Sequence, residues 1–151
     1  MNYVAITKDD MNNGEGLRVV LWVAGCNHNC KGCHNPSTHD VNAGFKFTKG
    51  TLEEIIEYLK QEYIQGLTLS GGDPLHPNNR NEVTRICKII KKELPKKDIW
   101  LYTGYKYEEI KHLEVMQYID VLIDGRYVKE LADINYEWAG STNQKVIRLK
   151  K

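Results

Sequence analysis

Apolar residues in this chain fall into short runs that alternate with stripes of helical period. Residues 17–24 (LRVVLWVA) are almost continuously apolar and rich in β-branched side chains, which predicts a strand buried on both faces. Gly25 ends the run, and a polar loop rich in Cys and His extends from Cys26 to about Gly50. Thr51 is placed to open a helix, with Glu54 completing a capping box and Leu52, Ile55, Ile56, Leu59 and Tyr63 forming the apolar stripe. Gly66 stops that helix, residues 67–69 read as a short strand, and Ser70-Gly71-Gly72-Asp73-Pro74 breaks it. A second helix is expected over residues 79–94, with Val83, Ile86, Cys87, Ile90 and Leu94 inward and Pro95 marking its end. Residues 98–102 form a third predicted strand, 107–117 a short helix, 119–123 a fourth strand and 146–149 a fifth.

Alternating strands and helices imply an α/β fold with parallel strands and right-handed crossovers. A closed eight-stranded barrel takes roughly 250 residues. At 151 residues the chain has room for an open, partial (β/α) barrel, expected as a single domain over residues 1–151. Each irregular segment follows the carboxyl end of a predicted strand: the Cys loop, Ser70–Pro74, Thr103-Gly104-Tyr105 and Asp124-Gly125-Arg126. In parallel α/β folds that edge binds ligands, so the four loops are expected to converge on one site.

Composition narrows the class. The 21 basic and 20 acidic side chains leave a formal net charge of +1, without the basic excess of a nucleic-acid binder. No apolar run approaches the ~20 residues that span a bilayer, and the N-terminal residues lack a signal-peptide layout. A cytoplasmic protein is therefore expected. In that compartment clustered cysteines point to metal or redox chemistry rather than disulfides.

Cys26, Cys30 and Cys33 form a C-x3-C-x2-C pattern. Three thiolates on one short loop can hold three corners of a 4Fe–4S cluster and leave one iron open, as catalytic metal sites do. The fourth cysteine, Cys87, falls on an apolar helical stripe and is expected to be structural. The spacing also permits a zinc site completed by His28, His34 or His39.

The order of motifs resembles the radical S-adenosylmethionine (SAM) superfamily, which pairs C-x3-C-x2-C after an early strand with a Gly-Gly-acid motif after the second. The closer resemblance is to the anaerobic ribonucleoside-triphosphate reductase activating proteins, a family of glycyl-radical activases. It runs through Gly14–Arg18, Ala24–Pro36, Leu69–Leu75, Tyr102–Tyr105, Asp120–Tyr127 and Gly140–Gln144. The resemblance implies a radical SAM-type partial barrel, with a 4Fe–4S cluster on Cys26, Cys30 and Cys33 as the catalytic centre. It implies SAM bound at the open iron and held by Ser70, Gly71, Gly72 and Asp73, with Thr103, Asp124 and Arg126 as further contacts. It also implies reductive cleavage of SAM with an electron from a flavodoxin-like donor. A glycyl radical would then form on the large subunit of the anaerobic reductase. Two departures from the superfamily stand out: Gly32 precedes the third cysteine where an aromatic residue is frequent, and Asp73 replaces the more usual Glu.

Two other functions fit parts of the sequence: a radical SAM enzyme for a small molecule, of the carboxy-deazaguanine synthase kind, and a non-catalytic zinc module. Trp22 is expected in the core, and His76 and His112 on the surface. Tyr136 and Trp138 are candidates for a partner surface, and Gly140–Gln144 for a closing loop or a plain turn.

Overall fold

The computed structural model describes residues 1–28 and 39–149. Cys30, Cys33 and His34 lie outside these described residues. The first strand is one that the apolar pattern did not announce. β1 (Asn2–Asp10) lies antiparallel to β2 (Leu17–Val23), with Tyr3 opposite Val23 and Ile6 opposite Leu21. Its charged far end hides the alternation. Asp9 there takes a left-handed backbone (φ 56°), and the pairing is irregular between Thr7 and Asp10.

The remaining elements follow in sequence: β3 (Phe45–Lys46), α1 (Lys49–Leu59), β4 (Ile64–Gly71), α2 (Arg80–Glu93), β5 (Asp98–Tyr102) and α3 (Tyr107–Ile110). After a 3-10 turn at Glu114–Gln117 come β6 (Val121–Asp124), a second 3-10 turn at Lys129–Leu131, and β7 (Lys145–Arg148). They build one open seven-stranded sheet in the order β3-β1-β2-β4-β5-β6-β7. The expected parallel arrangement holds at the centre, from β2 through β4 and β5 to β6. It fails at the margins, where β1 and β7 pair antiparallel.

Local chemistry explains smaller differences. The α1 cap is Thr48, not Thr51: Thr48 Oγ1 accepts from Thr51 N, and Thr51 Oγ1 returns a bond to Thr48 N. The helix stops at Leu59, so Tyr63 leaves the predicted stripe and is 58% exposed. The third predicted helix breaks into α3 and the 3-10 turn, which still bury Ile110 and Val115.

Strand alternation divides the apolar residues between two faces. Val19, Leu21, Val23, Leu67, Leu69, Ile99, Leu101 and Leu122 pack with Ile55, Leu59, Val83, Ile86, Cys87 and Ile90 of α1 and α2 in the main core. The other face carries Trp100, Val121 and Ile123, on which Trp138 and Ala139 pack. Trp138, expected at a partner surface, is half-buried, edge-on to Trp100 at 5.5 Å, with a left-handed backbone (φ 72°). Trp22, expected in the core, is half-buried on this second face, and its indole N–H donates to Thr7 Oγ1 at 2.7 Å.

Arg18 is wholly buried within the apolar run of β2. Its guanidinium donates to Thr68 Oγ1 (2.7 Å), the Glu15 carbonyl (2.9 Å), the Leu67 carbonyl (2.9 Å) and Asp98 Oδ1 (2.6 Å), and lies over the Trp100 ring. A buried guanidinium is tolerable only when its donors are satisfied in this way. Among the described residues no helix is long and apolar enough to cross a membrane. Replacing Arg18→Met removes the ion pair to Asp98 and the bonds to Thr68 Oγ1 and the buried Leu67 carbonyl. The expected loss is about 3 kcal/mol, on the order of 10 °C in a thermal melt; a change under about 2 °C would show that these contacts add nothing net.

Candidate active site

All four irregular loops meet at the carboxyl edge of the parallel strands. The end of β4 is pressed against the end of β2: Gly72 N donates to Val23 O at 2.9 Å, and Asp73 N to Gly25 O at 2.7 Å. Gly71 permits this approach. Its φ is +111°, and a Cβ there would stand 2.4 Å from Val23 O. Asn79, just ahead of α2, makes no side-chain capping bond; its amide nitrogen ties two loop carbonyls instead. Its Nδ2 donates to Ala24 O (2.9 Å) and Asp73 O (3.0 Å).

Asp73 is the hub of the edge. It is 1% exposed, and its carboxylate accepts from Leu75 N (2.9 Å), Thr103 Oγ1 (2.9 and 3.0 Å), Gly104 N (2.9 Å) and His28 Nε2 (2.5 Å). Loops following β2, β4 and β5 are thus joined through one side chain. Arg126 Nε donates to His28 Nδ1 at 3.2 Å, which puts the ring proton on Nε2, facing Asp73. Both nitrogens of His28 are therefore engaged by protein groups.

The predicted site residues separate into groups. Asp73, Thr103 and Arg126 come together with His28. Cys26, half-buried, begins the loop that stands on this edge, and its N–H donates to His39 O at 3.1 Å. Asp124 turns elsewhere: its carboxylate accepts from Tyr107 N (2.8 Å) and Lys145 N (3.1 Å), tying β6 to α3 and β7. Ser70 lies on the second face of the sheet, beside a cavity of about 720 Å³. Trp22, Tyr102 and Trp138 also line that cavity. Its volume is in the range of small-molecule sites, roughly 300–1,000 Å³. Burial raises the Tyr102 hydroxyl above its ordinary pKa, so it stays protonated there. The Gly140–Gln144 segment is a turn knotted by Gln144, whose Oε1 accepts from Gly140 N and Ser141 N while Nε2 donates to Gly125 O.

Asn79 and Gly104 were not singled out as site residues by the sequence, and His28 only as a possible zinc ligand. For Gly104 a signal existed in its place directly after Thr103 at a strand end; for Asn79 none did. Cys87 is fully buried in the main core, as expected, and burial pushes its thiol up to about 12.

The chain matches the family described as a 4Fe-4S single cluster domain over residues 12–147. A bacteriophage T4 protein is 51% identical over 146 residues, covering 97% of this chain and 93% of its own. A Haemophilus influenzae protein is 46% identical, covering 99% of each chain, and an Escherichia coli protein 45%, covering 99% of this chain and all of its own. All three relatives are named anaerobic ribonucleoside-triphosphate reductase-activating protein. The chain belongs to that family of activating proteins.

Two outcomes are expected from this geometry. Asp73→Ala leaves buried donors on three loops unpaired, at about 1–3 kcal/mol each, so the melting temperature should fall well below that of the parent; an unchanged melt would remove Asp73 as the hub. In the folded protein Cys87 should resist iodoacetamide at pH 8 and react only after denaturation, as read by peptide mass spectrometry.

Proposed function

We propose that this chain is a radical SAM activase. In this reading it cleaves SAM reductively and generates a glycyl radical on the large subunit of anaerobic ribonucleoside-triphosphate reductase. The observation that carries the reading is the convergence of the β2, β4 and β5 loops on Asp73, at the foot of the cysteine loop and near the cavity beside Ser70. The family match and the names of the relatives support an iron–sulfur activator of that reductase.

Cys26, Cys30 and Cys33 would hold the cluster. Thiolates suit iron–sulfur ligation, and Cys26 lies at the ligand-binding edge rather than in the core. A cluster held by these three thiolates would supply the single electron needed for reductive cleavage of SAM, the chemistry by which an α-hydrogen would be removed from the target glycine. The chain's own groups have simpler tasks. The backbone of Gly71 and Gly72 can approach the SAM amino group closely because no Cβ intervenes. The Asp73 carboxylate, already engaged by protein donors, positions the loops. Ser70, Trp22 and Tyr102 face the space into which SAM and the glycine would enter. Engagement of both His28 nitrogens argues against the zinc reading in which His28 is a ligand.

The open sheet fits a partial barrel of the radical SAM type and a macromolecular substrate. Its second face is covered only in part, and Met11 and Ile134, which border the cavity, are 67% and 101% exposed. A flavodoxin-like protein would supply the electron.

The test is anaerobic reconstitution with iron and sulfide, then reduction in the presence of SAM and the reductase. A glycyl-radical EPR doublet on the reductase is expected. A colourless protein carrying one zinc would overturn the proposal. Cys26→Ala, Cys30→Ala and Cys33→Ala should each abolish 5′-deoxyadenosine formation, whereas Cys87→Ala should retain it; cleavage surviving any of the first three would remove that residue as a ligand.

A further inference from the structure

The geometry points to His28 as a positioning residue that sets where the cysteine loop stands against the sheet, an inference that rests on the cluster reading above. His28 lies midway between Cys26 and Cys30 in the sequence. Its side chain is 5% exposed although it belongs to a polar loop. The ring sits in a slot formed by three separate loops. Asp73 accepts its Nε2–H at 2.5 Å, Arg126 donates to its Nδ1 at 3.2 Å, and Tyr105 meets it edge-on at 4.7 Å between ring centroids.

The fourth wall of the slot is an absence. A Cβ on Gly104 would stand 2.4 Å from His28 Cδ2 and 2.7 Å from Nε2, so the ring occupies space that any other residue at 104 would fill. Gly104 does not take a left-handed backbone; close approach is what calls for glycine there. Arg80, lying over the opposite partner of the pair, Tyr105, and bonded to Leu75 O, holds that aromatic wall in place.

The loop therefore has two kinds of attachment. Its base is fastened through backbone groups, by Cys26 N to His39 O and by Asp73 N to Gly25 O. Its first cysteine interval is fastened through the His28 side chain. Groups that orient the ligands of a metal centre govern how firmly it is held, and their loss typically costs about 10–100-fold in affinity.

The experiment compares wild type, His28→Ala, His28→Gln, Gly104→Ala and the His28→Ala/Gly104→Ala double variant, each reconstituted anaerobically with iron and sulfide. The readouts are the rate of iron loss to a chelator, the EPR spectrum of the reduced cluster, and the melt of the metal-free chain. His28→Ala and Gly104→Ala should each lose iron about tenfold faster, with altered EPR g-values. The double variant should be no worse than His28→Ala, because each change already removes the imidazole from the same slot. His28→Gln, whose amide can reach Asp73 as Nε2 does, should restore most of the retention. Gly104→Ala keeps every hydrogen-bonding group and carries the test if His28→Ala melts early. Wild-type iron retention and g-values in both single variants, or fully additive effects in the double variant, would overturn the inference. A wild-type chain that assembles no cluster would instead overturn the reading on which it rests.

Discussion

A single buried carboxylate organises the functional edge of this protein. Asp73 gathers donors from the loops after β2, β4 and β5, and in a nearly water-free setting each of those bonds is difficult to exchange for hydration. Removing an acceptor from such a cluster leaves several donors stranded at once, so the loops hold one another in register. Asn79 and Gly71 reinforce this by fixing the backbone of the β4 loop to the end of β2. The chemistry assigned to the cysteine loop therefore stands on a frame whose rigidity comes from polar contacts rather than from the apolar core beneath it.

The two faces of the sheet divide the labour. The helical face carries the continuous core that stabilises the chain. The other carries a smaller cluster around Trp100, the buried guanidinium of Arg18 at one end and the cavity at the other. Segment 126–144 crosses this face, pinned by Trp138 on Trp100 and by Gln144 on Gly125. One face is thus given over to the core, while the other stays partly open around the cavity.

Much of this was readable from residue patterns, and the failures have physical causes. The central strands, α2 and the placement of the special segments after strand ends follow from runs and periods that the chain displays locally. β1 was missed because its pairing partner, not its own alternation, decides its conformation. Arg18 was hidden because a charge inside an apolar run is acceptable only through contacts with Thr68 and Asp98, far along the sequence. Asp73 was singled out as a ligand contact, yet its saturation by His28, Thr103 and Gly104 depends on three loops meeting, which no local signal encodes. Asp124 is similar: its motif suggested a ligand, while its carboxylate is bonded to backbone amides of α3 and β7. Trp22 and Trp138, expected in the core and at the surface, both end half-buried on the second face, because hydrophobicity does not say which face of a sheet a side chain will meet.

An open sheet leaves two margins, and unpaired margins invite other chains to add strands. β3 covers only the Asn2 and Tyr3 end of β1, so the rest of that strand forms a border of the sheet. There the left-handed Asp9 and the irregular pairing near Asp10 spoil a flat template, and Lys8, Asp9 and Asp10 place charge along it. At the opposite border β7 is short and begins and ends in Lys145 and Arg148. Charge and irregular geometry at both borders thus disfavour the addition of a further strand through the backbone.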